Sequence, residues 1–207
     1  MKKLAIFAFV FVAWSAPTTA LEGDVAKGAE LASTCAACHG KDGNSGNPMW
    51  PKLAGQNEEY LEKQIKDFQA GTEDPTQGRY DASMAPMVKN LSEQDIADLS
   101  AYFASQETQM GAVEKEFLDL GKKIYFQGDA ERKVPACSAC HGATGQGLNL
   151  AGYPAVSGQH PEYAIKQLKA FSHGDRANDS NAIMRDIAIR MSDQQIEAVA
   201  HFMLGLH

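Results

Sequence analysis

Three sequence blocks occur twice in this chain, in the same order and about 100 residues apart. The blocks and their copies are Cys35–His39 and Cys137–His141 at an offset of 102, Pro51–Phe68 and Pro154–Phe171 at 103, and Leu91–Ile96 and Met191–Ile196 at 100. Because the offsets drift by so little, the blocks indicate a duplicated domain. The period is far longer than that of a solenoid repeat, so each copy is expected to bury a hydrophobic core of its own.

Both copies carry helical patterns, and no stretch shows the alternation of a half-buried strand. Helices are predicted over Asn57–Ala70 and His160–Phe171, and two further helices are predicted to start at the capping residues Ser92 and Ser192. The predicted fold class is therefore all-α. We expect two domains, 21–110 and 111–207, joined near residues 109–113.

The first twenty residues have the three-part plan of a secretory signal peptide. Lys2 and Lys3 precede an apolar run, Leu4–Trp14, and small residues lead to a predicted cleavage site at Ala20. The apolar run of 11 residues is shorter than the roughly 20 that a spanning helix needs. The sequence thus predicts an exported protein with at most a peripheral association with the membrane surface; the alternative is an uncleaved anchor.

The charge of the chain excludes one class of partner. The formal net charge is −7 and the isoelectric point about 5.3, whereas a nucleic-acid-binding protein needs a basic face. The charge is also uneven, because residues 21–110 contain 7 Lys/Arg and 15 Asp/Glu, a net −8, and residues 111–207 are close to neutral at −1. Such a dipole steers encounters with a charged partner, and the pattern favours a basic partner at the first domain.

Each predicted domain contains more irregular chain than a small core supports. Glycine- and proline-rich stretches cover residues 40–56 and 71–85 of the first copy. Domains of roughly 90 residues bury a limited fraction of their surface. Irregular segments of this length indicate that each half is wrapped around a large apolar body that the polypeptide itself does not supply.

The motif Cys-x-x-Cys-His supplies that body, because it is the attachment signature of c-type haem. Thiols three positions apart lie on one side of a helical turn and reach the two vinyl groups at one porphyrin edge, while the next histidine faces the iron. The signature predicts covalent haem at Cys35 and Cys38 and at Cys137 and Cys140, with His39 and His141 as axial ligands. The alternatives are weaker. A thioredoxin-like redox pair expects a βαβ context that the sequence lacks, and a zinc site would need the two cysteine pairs close together, not 102 residues apart. Plain disulfides explain neither the histidines nor the loops.

The sixth iron ligand separates electron transfer from ligand binding or catalysis. The candidate methionines are Met49, Met84 and Met87 in the first copy and Met184 and Met191 in the second. Alignment on the third repeated block places Met84 opposite Met184, whereas Met87 and Met191 face non-methionine positions. We therefore predict Met84 and Met184 as axial ligands, with Met87 as the competitor.

Residues around the histidines have predicted roles as well. Pro51 and Pro154 follow the two histidines by 12 and 13 residues, and their carbonyl groups are predicted to accept a hydrogen bond from the imidazole. Arg79, Trp50 and Arg185 are candidates for contact with the haem propionates but are interpreted as solvated side chains, and His160 is interpreted as a surface or capping residue.

With these motifs the chain resembles the cytochrome c4 family, the tandem class I cytochromes c of bacterial periplasms. The resemblance covers nearly all of the chain after the signal peptide and implies two haem c groups with His39/Met84 and His141/Met184 ligation. It also implies domains related by a pseudo-twofold axis. One departure is an insertion of about nine residues, around 126–134, before Cys137.

The predicted function is electron transfer, not catalysis. The resemblance implies a periplasmic shuttle that takes electrons from a quinol-oxidising cytochrome bc complex and delivers them to a haem-copper terminal oxidase or another reductase. The alternative is a haem subunit of a periplasmic oxidoreductase, either a sulfur-compound dehydrogenase or a peroxidase-like enzyme. The paired methionines argue against the peroxidase-like form, because that iron must lose its sixth ligand.

Overall fold

The computed structural model describes residues 21–207, which fold into helices and loops; the predicted signal peptide lies outside this range. The α-helices of the described residues are α1 Val25–Leu31, α2 Ala36–His39, α3 Glu58–Glu73, α4 Ala85–Val88, α5 Glu93–Ala104, α6 Lys115–Gln127, α7 Ser138–His141, α8 Pro161–His173, α9 Ile183–Ala188 and α10 Asp193–Leu204. Strand-like pairing in this range is limited to two isolated bridges. The all-α prediction is confirmed.

The two halves repeat one helical plan, in which the first helix packs on the last. Helix α1 crosses α5, and α6 crosses α10. A glycine sits at each crossing, because a Cβ on Gly28 would lie 2.0 Å from the Asp98 carbonyl oxygen and one on Gly121 would lie 2.4 Å from that of Ala198. The repeated glycines therefore let the backbones of the two helices touch.

Each half has a hydrophobic core of its own, as the duplication predicts. The first core is small and contains Ala32, Leu61, Leu99 and Phe103. The second is larger and is centred on α6 and α10, where Ile124, Tyr125 and Val199 are at most 1% exposed.

The predicted starts of the last helices are confirmed. Ser92 and Ser192 are the N-caps of α5 and α10, and both form full capping boxes, with Asp95 and Gln195 as the reciprocal partners. Asn57 occupies the N-cap position of α3 as predicted, but its side chain does not cap the helix. Its amide instead donates to the Tyr153 carbonyl oxygen at 2.8 Å, in the other half of the chain.

The insertion in the second half lengthens the first helix and adds a tight turn. Helix α6 has 13 residues against 7 in α1. Beyond it, the chain reverses at Gly128 and pairs Asp129 with Val134, which is buried. Val134 joins the second core, whereas residues 130–133 of the turn are exposed to solvent. Across residues 21–207 the structure has no helix with the length and apolarity required to cross a bilayer.

Candidate haem sites

The two Cys-x-x-Cys-His motifs adopt the same local structure. Each forms a four-residue helix that starts directly after the first cysteine and ends on the histidine. Gly40 and Gly142 follow with φ of 80° and 77°, values that favour glycine, and they stop both helices at once. Residues three positions apart lie on one side of a helical turn, so the cysteines of each motif share a side; His39 is buried and His141 is half-buried.

The histidine rings are held in matching orientations by a single hydrogen bond each. His39 Nδ1 lies 2.9 Å from the carbonyl oxygen of Pro51, and His141 Nδ1 lies 2.9 Å from that of Pro154. These predicted bonds are therefore present in both halves. With Nδ1 as the donor, the tautomer leaves the lone pair on Nε2, which is the arrangement of a metal-bound histidine with an outer hydrogen-bond partner.

The protonation of the rings fits the same role. Burial lowers the pKa of both His39 and His141 below the ordinary histidine value, and the bonds to the proline carbonyls oppose this only in part. The neutral imidazole is thus favoured at neutral pH, and only the neutral form can bind a metal through nitrogen.

The cysteines lack the character of a reactive redox pair. Burial raises the pKa of the Cys35 thiol and raises that of Cys137 to about 11, with the neighbouring cysteine of each motif adding to the shift. Redox-active Cys-x-x-Cys motifs instead have a lowered pKa. A shared zinc site is also disfavoured, since residues 21–207 contain no cluster of three or more His, Cys, Asp or Glu side chains placed to hold a metal.

Met84 and Met184 occupy comparable places, each at the start of a short helix. Met84 precedes α4, and its backbone N–H is bonded to the Asp81 carbonyl oxygen at 3.1 Å. Met184 lies in the first turn of α9. Both side chains are half-buried, whereas Met87 is 41% exposed.

The segment that carries Met184 contains an ion pair that was not predicted from the sequence. Arg185 was interpreted as solvated, but its Nε lies 2.7 Å from Asp179 Oδ1. Burial by itself would raise the pKa of Asp179, and the bonds from the backbone and guanidinium of Arg185 hold the pKa below its usual value.

Two arginines form a pseudo-symmetric cluster between the halves, which corrects the interpretation of Arg79 as solvated. The Arg79 guanidinium lies 4.5 Å above the Phe68 ring, and that of Arg176 lies 4.5 Å above the Phe171 ring. Each guanidinium bonds to glutamine and tyrosine oxygens from both halves, and the acceptors are Gln64, Gln167, Tyr60 and Tyr163.

His160 also joins the halves rather than lying on the surface. It occupies the N-cap position of α8, in line with the prediction of a capping residue, but its side chain does not cap the helix. Its Nε2 instead lies 2.8 Å from the Ser45 carbonyl oxygen of the first half. Together with Asn57 and the arginine cluster, this contact shows that the two halves are packed against each other by polar side chains.

Each half therefore offers two thiols on one turn and a neutral, oriented imidazole, which is the donor set that haem c requires. Two such halves in one chain define a two-domain c-type cytochrome.

Comparison with known proteins supports this class of protein and identifies the family within it. The family model for cytochrome c matches residues 25–107 and again 118–207. Cytochrome c4 of Azotobacter vinelandii is 46% identical over 189 residues, covering 89% of this chain and 90% of that protein. The crystal structure of reduced recombinant cytochrome c4 from Pseudomonas stutzeri superposes with a TM-score of 0.87 at 42% identity, covering 89% of this chain and all of that one.

The chain belongs to the cytochrome c4 family. It is an electron carrier with two covalently bound haem c groups, one for each cytochrome c domain, and not an enzyme. A more distant relative is the thiosulfate dehydrogenase electron acceptor of Thiomonas intermedia, which is 34% identical over 211 residues and is covered over 88% of its length.

The residues that join the two halves are the ones that sequence reasoning missed. Gln56, Gln64 and their copies Gln159 and Gln167 recur at an offset of 103. In a single domain, nothing requires this face of the helix to be polar. The recurrence of polar residues there in both copies is therefore a sequence signal from which the interface could have been predicted.

Proposed function

We propose that one haem is attached at Cys35 and Cys38 and bound by His39 and Met84, and the other at Cys137 and Cys140 and bound by His141 and Met184. The observation that carries this proposal is the repeated histidine geometry, with each Nδ1 committed to a proline carbonyl at 2.9 Å. The haem supplies the one-electron iron couple, and the polypeptide holds its ligands and excludes water.

The methionine assignment is tested by removing the thioethers one at a time. Met84→Ala and Met184→Ala should each remove half of the weak near-infrared absorption band of Met–iron ligation in the oxidised protein. Each should also let one haem bind carbon monoxide when reduced. Met87→Ala is the matched control and should leave the band intact. Loss of the band in Met87→Ala, with a normal Met84→Ala protein, would assign Met87 instead.

We infer further that the protein works in the periplasm, with domains at 21–110 and 111–207, after removal of residues 1–20. There it carries electrons from a quinol-oxidising cytochrome bc complex to a haem-copper terminal oxidase. Ligation by histidine and methionine suits this role, because a closed, six-coordinate iron exchanges electrons without binding substrate.

The uneven charge supports a defined docking face for a basic partner on the first domain. Glu30, Glu73 and Glu107 are exposed there, in a domain of net charge −8. Complementary charge mainly raises the association rate and makes it dependent on salt.

This docking face is tested with charge-neutral variants and stopped-flow kinetics. Neutralising Glu30, Glu73 and Glu107 to Gln should lower the second-order rate constant with the basic partner several-fold at low salt and flatten its salt dependence. The matched control neutralises Glu116 and Glu197, which are exposed in the second domain. Equal effects of the two sets would contradict docking at the first domain.

A second candidate for the electron donor is a thiosulfate dehydrogenase. It is favoured by the relation to the acceptor protein from Thiomonas intermedia, at 34% identity. Stopped-flow reduction of the oxidised protein by purified cytochrome bc complex with quinol, and separately by thiosulfate dehydrogenase with thiosulfate, distinguishes the donors. The first reaction should be the faster; the opposite order would assign the protein to sulfur-compound oxidation.

A further inference from the structure

Gln159 and Gln56 each reach from their own domain into the other, where they bind equivalent backbone positions, Lys52 and Ala155. Gln159 Oε1 accepts from the N–H of Lys52 at 2.9 Å, and Gln159 Nε2 donates to the Lys52 carbonyl oxygen at 2.9 Å. In the reverse direction, Gln56 Oε1 accepts from the N–H of Ala155 at 2.8 Å, and its Nε2 donates to the Ala155 carbonyl oxygen at 2.9 Å.

The two clamped residues directly follow the prolines that bind the histidines. The carbonyl of Pro51 and the N–H of Lys52 belong to one peptide group, and so do the carbonyl of Pro154 and the N–H of Ala155. One end of the first peptide group therefore bonds to His39 Nδ1 and the other end to Gln159. The second peptide group connects His141 to Gln56 in the same way.

The glutamines are well placed to hold these peptide groups still. Gln56 is buried, and its Oε1 also accepts from the N–H of Asn57 at 2.9 Å, at the start of α3. Gln159 Oε1 likewise accepts from the N–H of His160 at 3.1 Å, at the start of α8. Each amide is thus fixed to its own domain before it reaches across to the other.

Hydrogen bonds through one amide strengthen each other. When a peptide N–H donates a bond, its carbonyl oxygen becomes a better acceptor, by about 10–30% for each bond in a chain. A stronger acceptor at Nδ1 makes the imidazole a stronger electron donor to a bound metal. Gln159 therefore acts on His39 across the interface, and Gln56 acts on His141.

We propose that Gln56 and Gln159 are positioning residues through which each domain sets the ligand strength of the other domain's histidine, and so lowers the reduction potential of the other haem. The proposal rests on His39 and His141 being the iron ligands. Its signature is crossed, because a change in one domain moves the potential of the haem in the other.

The experiment uses the holoprotein with Gln159→Met and, separately, Gln56→Met. Methionine has a similar length but cannot accept the peptide N–H bond. Gln159→Met should change the ratio of oxidised to reduced iron in the first haem about threefold at a fixed potential, which is a rise of about 28 mV at 59 mV for each tenfold change. Gln56→Met should do the same to the second haem. Each potential is assigned by following hyperfine-shifted NMR signals through a redox titration.

A second measurement follows the histidines themselves. In the reduced protein, the Nδ1 proton of His39 should exchange with solvent faster in Gln159→Met, and that of His141 should exchange faster in Gln56→Met. The matched control is Asn57→Ala, which removes a side-chain amide that crosses the interface but contacts neither of these peptide groups. It should leave both potentials and both exchange rates unchanged.

A shift confined to the haem of the unmutated domain, in both variants, would establish that each glutamine acts on the other domain's histidine. Equal shifts of both haems, a shift of the haem in the mutated domain, or a shift as large in Asn57→Ala would overturn it in favour of a generally loosened interface. Unchanged potentials in a protein with a normal haem spectrum would also overturn it. Failure of the ligand assignment is distinguishable, because His39→Ala or His141→Ala would then leave the axial-ligand spectrum of the corresponding haem unaltered.

Discussion

The crossing of α6 and α10 offers a direct test of how closely this fold is packed. Gly121 lies where α6 meets α10, and replacing it with alanine would put a Cβ 2.4 Å from the Ala198 carbonyl oxygen and 2.5 Å from Phe202 Cβ. Ordinary van der Waals contact begins near 3.4 Å. The two helices must therefore separate by about 1 Å within the second core, which dense packing resists.

The cost follows from two opposing effects. Overpacking of a dense core costs about 1–3 kcal/mol. Alanine gains about 1 kcal/mol over glycine inside a helix. Taking the middle of the first range, we expect Gly121→Ala to lower the free energy of unfolding by about 1 kcal/mol.

The assay is guanidinium unfolding of the holoprotein followed by far-UV circular dichroism. Gly46→Ala is the matched control, because a Cβ there would meet no atom within 4 Å and its φ is not in the left-handed region. We expect the control to change stability by less than about 0.5 kcal/mol. A Gly121→Ala protein as stable as the Gly46→Ala protein would refute the close-packed crossing.

Two further predictions concern single polar contacts. Tyr125 is fully buried and its hydroxyl donates to the Gly142 carbonyl oxygen at 2.7 Å, so Tyr125→Phe should cost about 1–2 kcal/mol of unfolding free energy. Tyr102→Phe, which removes an exposed hydroxyl bond, should cost less, and equal costs would contradict the role of burial. The ion pair of Asp179 with Arg185 holds the pKa of Asp179 below its unfolded value, so its stabilisation is complete above about pH 4 and is lost as the pH falls through the folded pKa. Asp179→Asn should therefore lower the free energy of unfolding at pH 7 by about 1 kcal/mol, and this free energy should then fall less steeply below pH 4 than in the unmodified protein. The measurement is urea unfolding between pH 2 and pH 7. The same pH dependence below pH 4 in both proteins would argue against this pair.

The sequence was informative at several places where the physical cause was local, although the pair of Asp179 with Arg185, six residues apart, was not predicted. Ser92 and Ser192 start their helices because a capping side chain acts on N–H groups within three residues of it. The bonds from His39 and His141 to the proline carbonyls were also predicted, since each spans only 12 or 13 residues within one copy.

Contacts between the domains had no such local signal. Arg79 looked solvated, but its partners Tyr163 and Gln167 lie 84 and 88 residues away along the chain. Asn57 looked like an ordinary helix cap, yet its amide is committed to the second domain. When the second domain packs against the first, it changes the surroundings of a polar side chain. The residues next to that side chain in the sequence carry no sign of this packing.

Whether histidine and methionine close both irons is decided by one redox titration. The purified protein is titrated while its reduced-minus-oxidised absorption spectrum, its haem content and the near-infrared Met–iron band are recorded. We expect two haems for each chain, the band at full strength for both in the oxidised state, and no carbon monoxide binding on reduction. One haem, a band at half strength, or ready carbon monoxide binding would contradict this expectation and reveal an open iron.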